Sequence, residues 1–246
     1  MSDPNGTLLA VEGLVVKYKS LVAVNGLSLG VGHAAIVGLI GPNGAGKSSA
    51  INAIAGAVQP ASGEVRLQGQ VITHLPPDER ARLGIARTFQ NLELFSTMTV
   101  FDNVLTRVEA SPAHRRTSDA DRRAICQRTI DDLGLSQYTA TQVSDLAYAE
   151  RKLVEFARAT VIEVPLLLLD EPTAGIAIEE RRRLVQRISA RLRERGIAGL
   201  VVEHDMEVIK AMCDHVYVMD AGVCIAEGTY DEVSRSQAVR EAYLGA

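Results

Sequence analysis

The sequence predicts an α/β protein: a mostly parallel sheet covered by helices, with an all-helical subdomain set into it. Three observations carry that prediction. Strand-sized apolar runs alternate with amphipathic helices from Leu166 to Met219, and such alternation builds parallel sheets. The apolar run Ala34–Ile40 leads into Gly41-Pro-Asn-Gly-Ala-Gly-Lys-Ser48 and then a helix, the strand–loop–helix order of a phosphate-cradling loop. Between these regions, residues 98–159 read as helices joined by polar linkers.

Taken in order, Leu8–Tyr18 and Leu21–Val31 alternate as strands, and Ala34–Ile40 is apolar enough for a buried one. A short helix is predicted over about Gly46–Ala57. Pro60-Ala-Ser-Gly63 is a turn, Glu64–Ile72 a further strand with Gly69 in a tight bend, and Pro76-Pro-Asp78 opens a brief helix ending near Gly84. Ile85–Gln90 follows as a buried strand. Thr99 caps a helix Val100–Val108, with Asp102 three residues on. Ser111–Asp119 is a polar linker. Ala124, Ile125, Ile130 and Leu133 give Ala120–Leu133 helical spacing, closed by Gly134. A long helix Ala147–Val164 stops before Pro165. Leu166–Leu169, Gly199–Glu203 and Val216–Met219 are strands, with helices Ile178–Arg195 and Asp205–Met212 between them. Leu184, Val185, Ile188 and Leu192 form the buried stripe of the longer helix. Its arginines Arg181, Arg182 and Arg183 read as a solvated face paired with Glu179 and Glu180.

With 246 residues, 47% apolar and 23% charged, the chain can bury a sizeable core, which excludes disorder, collagen and coiled coil. A formal net charge of −4 without a basic tail leaves no electrostatic footprint for nucleic acid. No run approaches the roughly 18 apolar residues of a membrane helix. Met1–Gly6 is polar and predicts no signal peptide, so a cytoplasmic protein is expected. The three cysteines show no CxxC spacing and the five histidines no HExxH pair, so the cysteines read as small core hydrophobes.

Gly41 to Ser48 fits GxxxxGK[ST]. Its glycines let backbone N–H groups converge on phosphate oxygens, and the helix start adds a positive dipole end. Gly41, Pro42, Asn43, Gly44, Ala45, Gly46, Lys47, Ser48 and Ser49 are therefore the candidate nucleotide-binding residues. Lys47 is placed to reach the β- and γ-phosphates and Ser48 to ligate Mg²⁺. The strand Leu166–Leu169 ends in Asp170 and Glu171. A carboxylate at that point suits Mg²⁺, and Glu171 suits a general base for the attacking water. His204 ends its own strand at the same edge of a parallel sheet, fit to contact a γ-phosphate. Gln90, closing Ile85–Gln90, is a candidate for Mg²⁺ or for orienting water.

In this order the motifs resemble the ATP-binding cassette (ABC) family. Tyr18 matches the aromatic that stacks on adenine, Gly41–Ser48 the Walker A loop and Gln90 the Q-loop glutamine. Leu146, Ala147, Tyr148, Ala149 and Glu150 stand at the signature sequence. Asp170 and Glu171 match Walker B and its catalytic glutamate, Ala174–Ala177 the D-loop, and His204 the switch histidine. The resemblance implies a P-loop NTPase fold with a RecA-like core, an antiparallel β subdomain and a helical subdomain. The core and β subdomain would take residues 1–97 and 160–246, and the helical subdomain 98–159, all within one nucleotide-binding domain. It also implies that two cassettes, alike or different, sandwich two ATP molecules, each Walker A loop facing the other's signature. Ala86-Arg-Thr-Phe-Gln-Asn-Leu-Glu-Leu-Phe95, Leu146-Ala-Tyr148 and Ala242-Tyr-Leu-Gly245 are similar to the larger ATPase of branched-chain amino acid importers. That implies integral-membrane permease partners, a substrate-binding protein, and a position on the inner face of the cell membrane.

Some residues depart from the family. Ala149 and Glu150 replace Gly and Gln in the signature, Ala177 replaces an acidic or amide D-loop residue, and His33-Ala34-Ala35 replaces a Pro-Gly-Glu turn. A Cβ at Ala149 is expected to hold the partner's nucleotide further away and slow hydrolysis. The altered signature leaves open a weakly hydrolysing, nucleotide-sensing partner in a heterodimer, and similar length and motifs leave open a lipid or lipopolysaccharide exporter ATPase.

Overall fold

The computed structural model describes residues 6–244. Residues 1–5, which carry most of the signal-peptide expectation, and Gly245, which closes the terminal motif, lie outside the described residues. The chain opens on β1 (Thr7–Tyr18), β2 (Leu21–Gly32) and β3 (Ile36–Ile40), then α1 (Lys47–Ile54), β4 (Ser62–Leu67), β5 (Gln70–Val71), α2 (Pro77–Arg82) and β6 (Ile85–Arg87). Three helices follow: α3 (Val100–Ala110), α4 (Asp119–Asp132) and α5 (Tyr148–Thr160). Alternation then resumes with β7 (Leu166–Asp170), α6 (Ile178–Glu194), β8 (Ala198–Val202), α7 (Met206–Met212) and β9 (His215–Asp220). The described chain closes with β10 (Val223–Gly228), α8 (Tyr230–Arg235) and α9 (Gln237–Leu244).

The larger sheet runs β10-β9-β3-β8-β7-β6. All its pairs are parallel except β9 with β10. The smaller sheet, β2-β1-β4-β5, is antiparallel throughout. A parallel sheet covered on both faces needs strands that are apolar at every position, and β3, β7 and β8 are buried at every residue. Alternate side chains of β7 serve different cores. Leu167 and Leu169 join the cluster of α3–α7, whereas Leu166 and Leu168 join α1 and the antiparallel sheet. The α/β fold with its antiparallel and helical parts is the one expected.

Local signals set several boundaries. Thr99 Oγ1 accepts the Asp102 N–H at 3.0 Å and starts α3, and Ser118 caps α4 in the same way at 3.1 Å. The expected strand Glu64–Ile72 is a hairpin, β4 with β5, folded at the predicted bend.

Four expectations need correction. The strand Ile85–Gln90 ends at Arg87, because side chains of α5 take the main-chain groups of Phe89 and Gln90 that a neighbouring strand would otherwise pair. The helix Ala147–Val164 ends at Thr160, whose hydroxyl bonds back to the Phe156 carbonyl at 2.8 Å. Arg181 pairs with Asp205, the residue capping α7, rather than with its helix's glutamates. Finally, β10, α8 and α9 were not expected. As a half-exposed edge strand, β10 shows no burial alternation and, among the described residues, pairs only with β9.

One buried cation holds α1 and α2 together. Arg80 is fully buried, and its guanidinium donates to the carbonyls of Leu75, Ala53, Ile54 and Thr73 at 2.9, 2.8, 2.6 and 2.6 Å. The Ala53 and Ile54 carbonyls belong to the last turn of α1, where the helix itself supplies no donors. Burial lowers the Arg80 pKa to about 10, and the four carbonyls keep the charge in place. Arg80→Met is expected to destabilise the protein by about 3 kcal/mol, read as a lower urea midpoint at unchanged slope.

Candidate active site

The site forms where β3 ends. Gly41 and Gly46 adopt φ of 150° and 101°, and a Cβ on them would meet the Met219 and Ala23 carbonyl oxygens at 2.1 and 2.2 Å. The start of β2 and the end of β9 thus press on the loop, and only glycine fits between them. No side chain caps α1, so its first N–H groups are left for an anion. Asn43 and Gly44 are exposed at the loop tip, Pro42 is half-buried and Ala45 is buried. Ser48 is exposed and Ser49 half-buried in the first turn of α1. The Lys47 stem is buried, and its Nζ donates to the Gly41 and Pro42 carbonyls at 2.8 and 2.9 Å. Burial pushes the Lys47 ammonium below its ordinary pKa, while Glu171, Asp170 and Glu203 pull it back up.

Those carboxylates come from neighbouring strand ends. Asp170 is the last residue of β7, and Glu171 follows with φ 46°, in the left-handed region. For a residue with a side chain that conformation costs about 1–2 kcal/mol, a strain characteristic of functional sites. Gln90 Nε2 donates to Glu171 Oε2 at 3.1 Å. His204 Nδ1 lies 3.8 Å from Glu171 Oε1 and 3.9 Å from Glu203 Oε2. Glu203 is wholly buried and accepts from Thr173 N and Oγ1 at 3.0 and 2.7 Å, which ties the end of β8 to the segment after β7. Gln90, Asp170, Glu171 and His204 thus come together at the carboxyl edge of β6, β7 and β8, beside the loop after β3. A parallel sheet places ligand chemistry at that edge.

The oxygens present suit Mg²⁺. Ser48 Oγ, Asp170 Oδ1 and Gln90 Oε1 take part in no hydrogen bond among the described residues, and no cluster of three or more His, Cys, Asp or Glu gathers there as a protein-only cage. One hydroxyl, one carboxylate and one amide form the sparse oxygen set that Mg²⁺ accepts when phosphates complete its shell.

Tyr18 ends β1 at the tip of the β1–β2 hairpin and is half-exposed. The same hairpin brings Ala23 onto Gly46. The segment Leu146–Glu150 is elsewhere. Leu146 is buried, Ala147 is the residue before α5, and Tyr148 stands against Gly175 in the loop before α6. Among the described residues, no hydrogen bond or ion pair joins 146–150 to 41–49. Ala149 is 8% exposed and belongs to the buried cluster around α5, so its methyl group packs into this chain. Glu150 Oε2 is buried without a hydrogen-bond partner.

Sequence reasoning assigned no role to several residues at the site. Arg87 NH2 pairs with Asp170 Oδ2 at 2.8 Å, both side chains largely buried. The register of β6 on β7 makes this possible, since Arg87 lies opposite Leu168, two residues from Asp170. Lys152 and Glu155 on α5, and Glu203 itself, were likewise unassigned. A charged residue inside an apolar helix face or strand end was the one available hint.

Comparison with known proteins gives a consistent picture. Residues 24–174 match the family model described as ABC transporter, and residues 223–246 match one described as branched-chain amino acid ATP-binding cassette transporter. The chain is 36% identical to the high-affinity branched-chain amino acid transport ATP-binding protein LivG of Salmonella typhimurium, over 100% of this chain and 99% of that protein. It is 34% identical to the lipopolysaccharide export system ATP-binding protein LptB of Acidithiobacillus ferridurans, over 97% of each. A solved ATP-binding cassette of an ABC transporter, in its ADP conformation, superposes with a TM-score of 0.87 at 29% identity, covering 98% of this chain and 99% of that one.

Proposed function

Because the chain belongs to the ABC transporter family, on the branch of branched-chain amino acid ATP-binding cassettes, we propose that it is the ATP-hydrolysing subunit of an importer for branched-chain amino acids or a related small polar solute. The observation that carries the reading is the meeting of Gln90, Glu171 and His204 beside the Lys47 loop. In this reading Gly41–Ser49 cradles the phosphates and Tyr18 stacks on the adenine. Glu171 takes a proton from the attacking water, with Gln90 donating to one of its oxygens and His204 3.8 Å from the other. Ser48, Asp170 and Gln90 would hold Mg²⁺, which neutralises phosphate charge when bound. Residues 146–150 face the nucleotide of a second cassette, like or unlike this one, because they lie apart from this chain's own loop. Residues 98–159 act as a helical subdomain on a core made of 1–97 and 160–246.

No described helix is long and apolar enough to cross a membrane, so transport requires permease subunits, with this chain peripheral on the inner membrane face and a substrate-binding protein completing the importer. The exporter reading draws support from the LptB likeness. The match of residues 223–246 to the branched-chain model favours the importer. A weakly hydrolysing partner role draws on Ala149, Glu150 and Ala177; of these, Ala149 has its methyl group buried in this chain, which weighs against its share of that role.

The permease contact provides the test. Phe89 and Phe95 are 41% and 52% exposed and border a groove of about 500 Å³ that Arg107, Glu155 and Arg158 also line. Leu94, by contrast, packs on the helical core. Within Leu92–Met98, the segment that follows Gln90, Phe95 is thus the exposed anchor and Leu94 the seam. Phe95→Ser is expected to abolish co-purification with the permease subunits while the melting temperature stays within about 2 °C. Leu94→Ser should lower the melting temperature instead. Full permease association by Phe95→Ser would remove this surface from the reading.

A further inference from the structure

Three side chains on one face of α5 hold the main chain that follows β6. Lys152 Nζ donates to the Phe89 and Gln90 carbonyls at 3.1 and 3.0 Å. Glu155 Oε1 accepts the Phe89 N–H at 3.1 Å. One turn further on, Arg158 donates to the Glu93 carbonyl. The Lys152 and Glu155 side chains are each 3% exposed and lie 4.0 Å apart.

A buried pair of charges is a poor source of stability, because desolvation offsets most of the attraction and apolar residues of like volume often do better. Both groups feel that cost: burial lowers the Lys152 pKa and raises that of Glu155. What the pair supplies is geometry. Together the two side chains satisfy both main-chain groups of Phe89 and the carbonyl of Gln90, so the two peptide units cannot rotate without breaking partly buried, charge-assisted bonds. The connection runs on in both directions. Gln90 Nε2 bonds Glu171, and the first turn of α5 carries Tyr148, Ala149 and Glu150.

We propose that Lys152 and Glu155 are positioning residues that lock Gln90, and through it Glu171, to the helix that begins at residues 146–150. The proposal rests on the reading above, in which 146–150 contact a second cassette's nucleotide. A shift of α5 on engaging that nucleotide then carries the Phe89–Gln90 main chain with it and sets the Gln90 amide on Glu171. One cassette's site is thereby aligned by occupancy of the other.

The test uses the purified full chain. Lys152→Met with Glu155→Leu removes both charges and all three main-chain bonds but keeps the space apolar, so the variant should fold, with a melting temperature a few degrees lower because three main-chain groups lose their partners. Turnover is expected to fall at least ten-fold in kcat with KM for ATP within two-fold. Adding Gln90→Ala should cost nothing further, because the clamp acts through Gln90. Lys152→Arg alone, which preserves the cationic donor, should restore turnover to within about three-fold of wild type. Wild-type kcat in the double variant would overturn the clamp, and so would a full additional loss on adding Gln90→Ala. A wild-type chain that hydrolyses no ATP would sink the ATPase reading and the clamp with it. An active wild type with an unaffected double variant sinks the clamp alone.

Discussion

Glu171→Gln is expected to bind ATP as the wild type does and to lose turnover by about 10²–10⁴-fold. The amide has the shape of the carboxylate. It can occupy the same left-handed backbone position, and its oxygen can still accept from Gln90 Nε2, 3.1 Å away in the native site. What it cannot do is take a proton from water. With chemistry stopped and binding intact, ATP should hold two cassettes together, seen as an ATP-dependent shift to earlier elution on size exclusion. The shift should need nucleotide and should vanish when the nucleotide is removed. Hydrolysis at the wild-type rate by Glu171→Gln would show that another group is the base.

Lys47→Ala is expected to weaken ATP binding by about 3 kcal/mol, roughly 100-fold in Kd, since hydrogen bonds from a charged donor reach that size. Asp170, Glu171 and Glu203 all act on Lys47, the cation of the loop itself. Without it, a triphosphate would approach those carboxylates with no positive charge from the loop between them. The Gly41 and Pro42 carbonyls would also lose the donor they share. Titration of a fluorescent nucleotide reads the affinity, and a melting temperature within a few degrees of wild type separates lost binding from lost fold. Unchanged affinity would place the phosphates elsewhere.

The effect of Arg80→Met has a different origin. Gly56, whose Cβ would meet Arg80 Nε at 2.8 Å, and the four carbonyls around the guanidinium belong to the chain's own interior. That substitution should therefore reduce stability in all states, bound or free, and leave the ATP affinity of the folded fraction unchanged.

Much of the site was legible because its signals are local. The Walker A loop needs glycine at 41 and 46, where other backbone comes within van der Waals contact, and that requirement is written in consecutive residues. The strands β3, β7 and β8 are buried on both faces, so each leaves an unbroken apolar run that ends at a candidate residue of the site. Thr99, Ser118 and Asp205 cap their helices within three residues. Parallel alternation then implies which strand ends share an edge, which is why Gln90, Asp170, Glu171 and His204 could be grouped before any contact was known.

The sequence by itself therefore determined the fold class, the phosphate loop and the carboxylates at the sheet's edge. Tertiary structure alone decided how those groups are held. Arg87 meets Asp170 across 83 positions of chain, Glu155 meets Phe89 across 66, and Arg80 meets Ala53 across 27. No period or spacing announces any of these pairings, because each depends on strand register and on where a helix crosses the sheet. The same holds for β10, whose place at the sheet's edge leaves one side unpaired and so imposes no apolar pattern on its residues. Periodicity reports which face of an element is buried. Which charge meets which, inside that burial, is set only when distant segments close on one another.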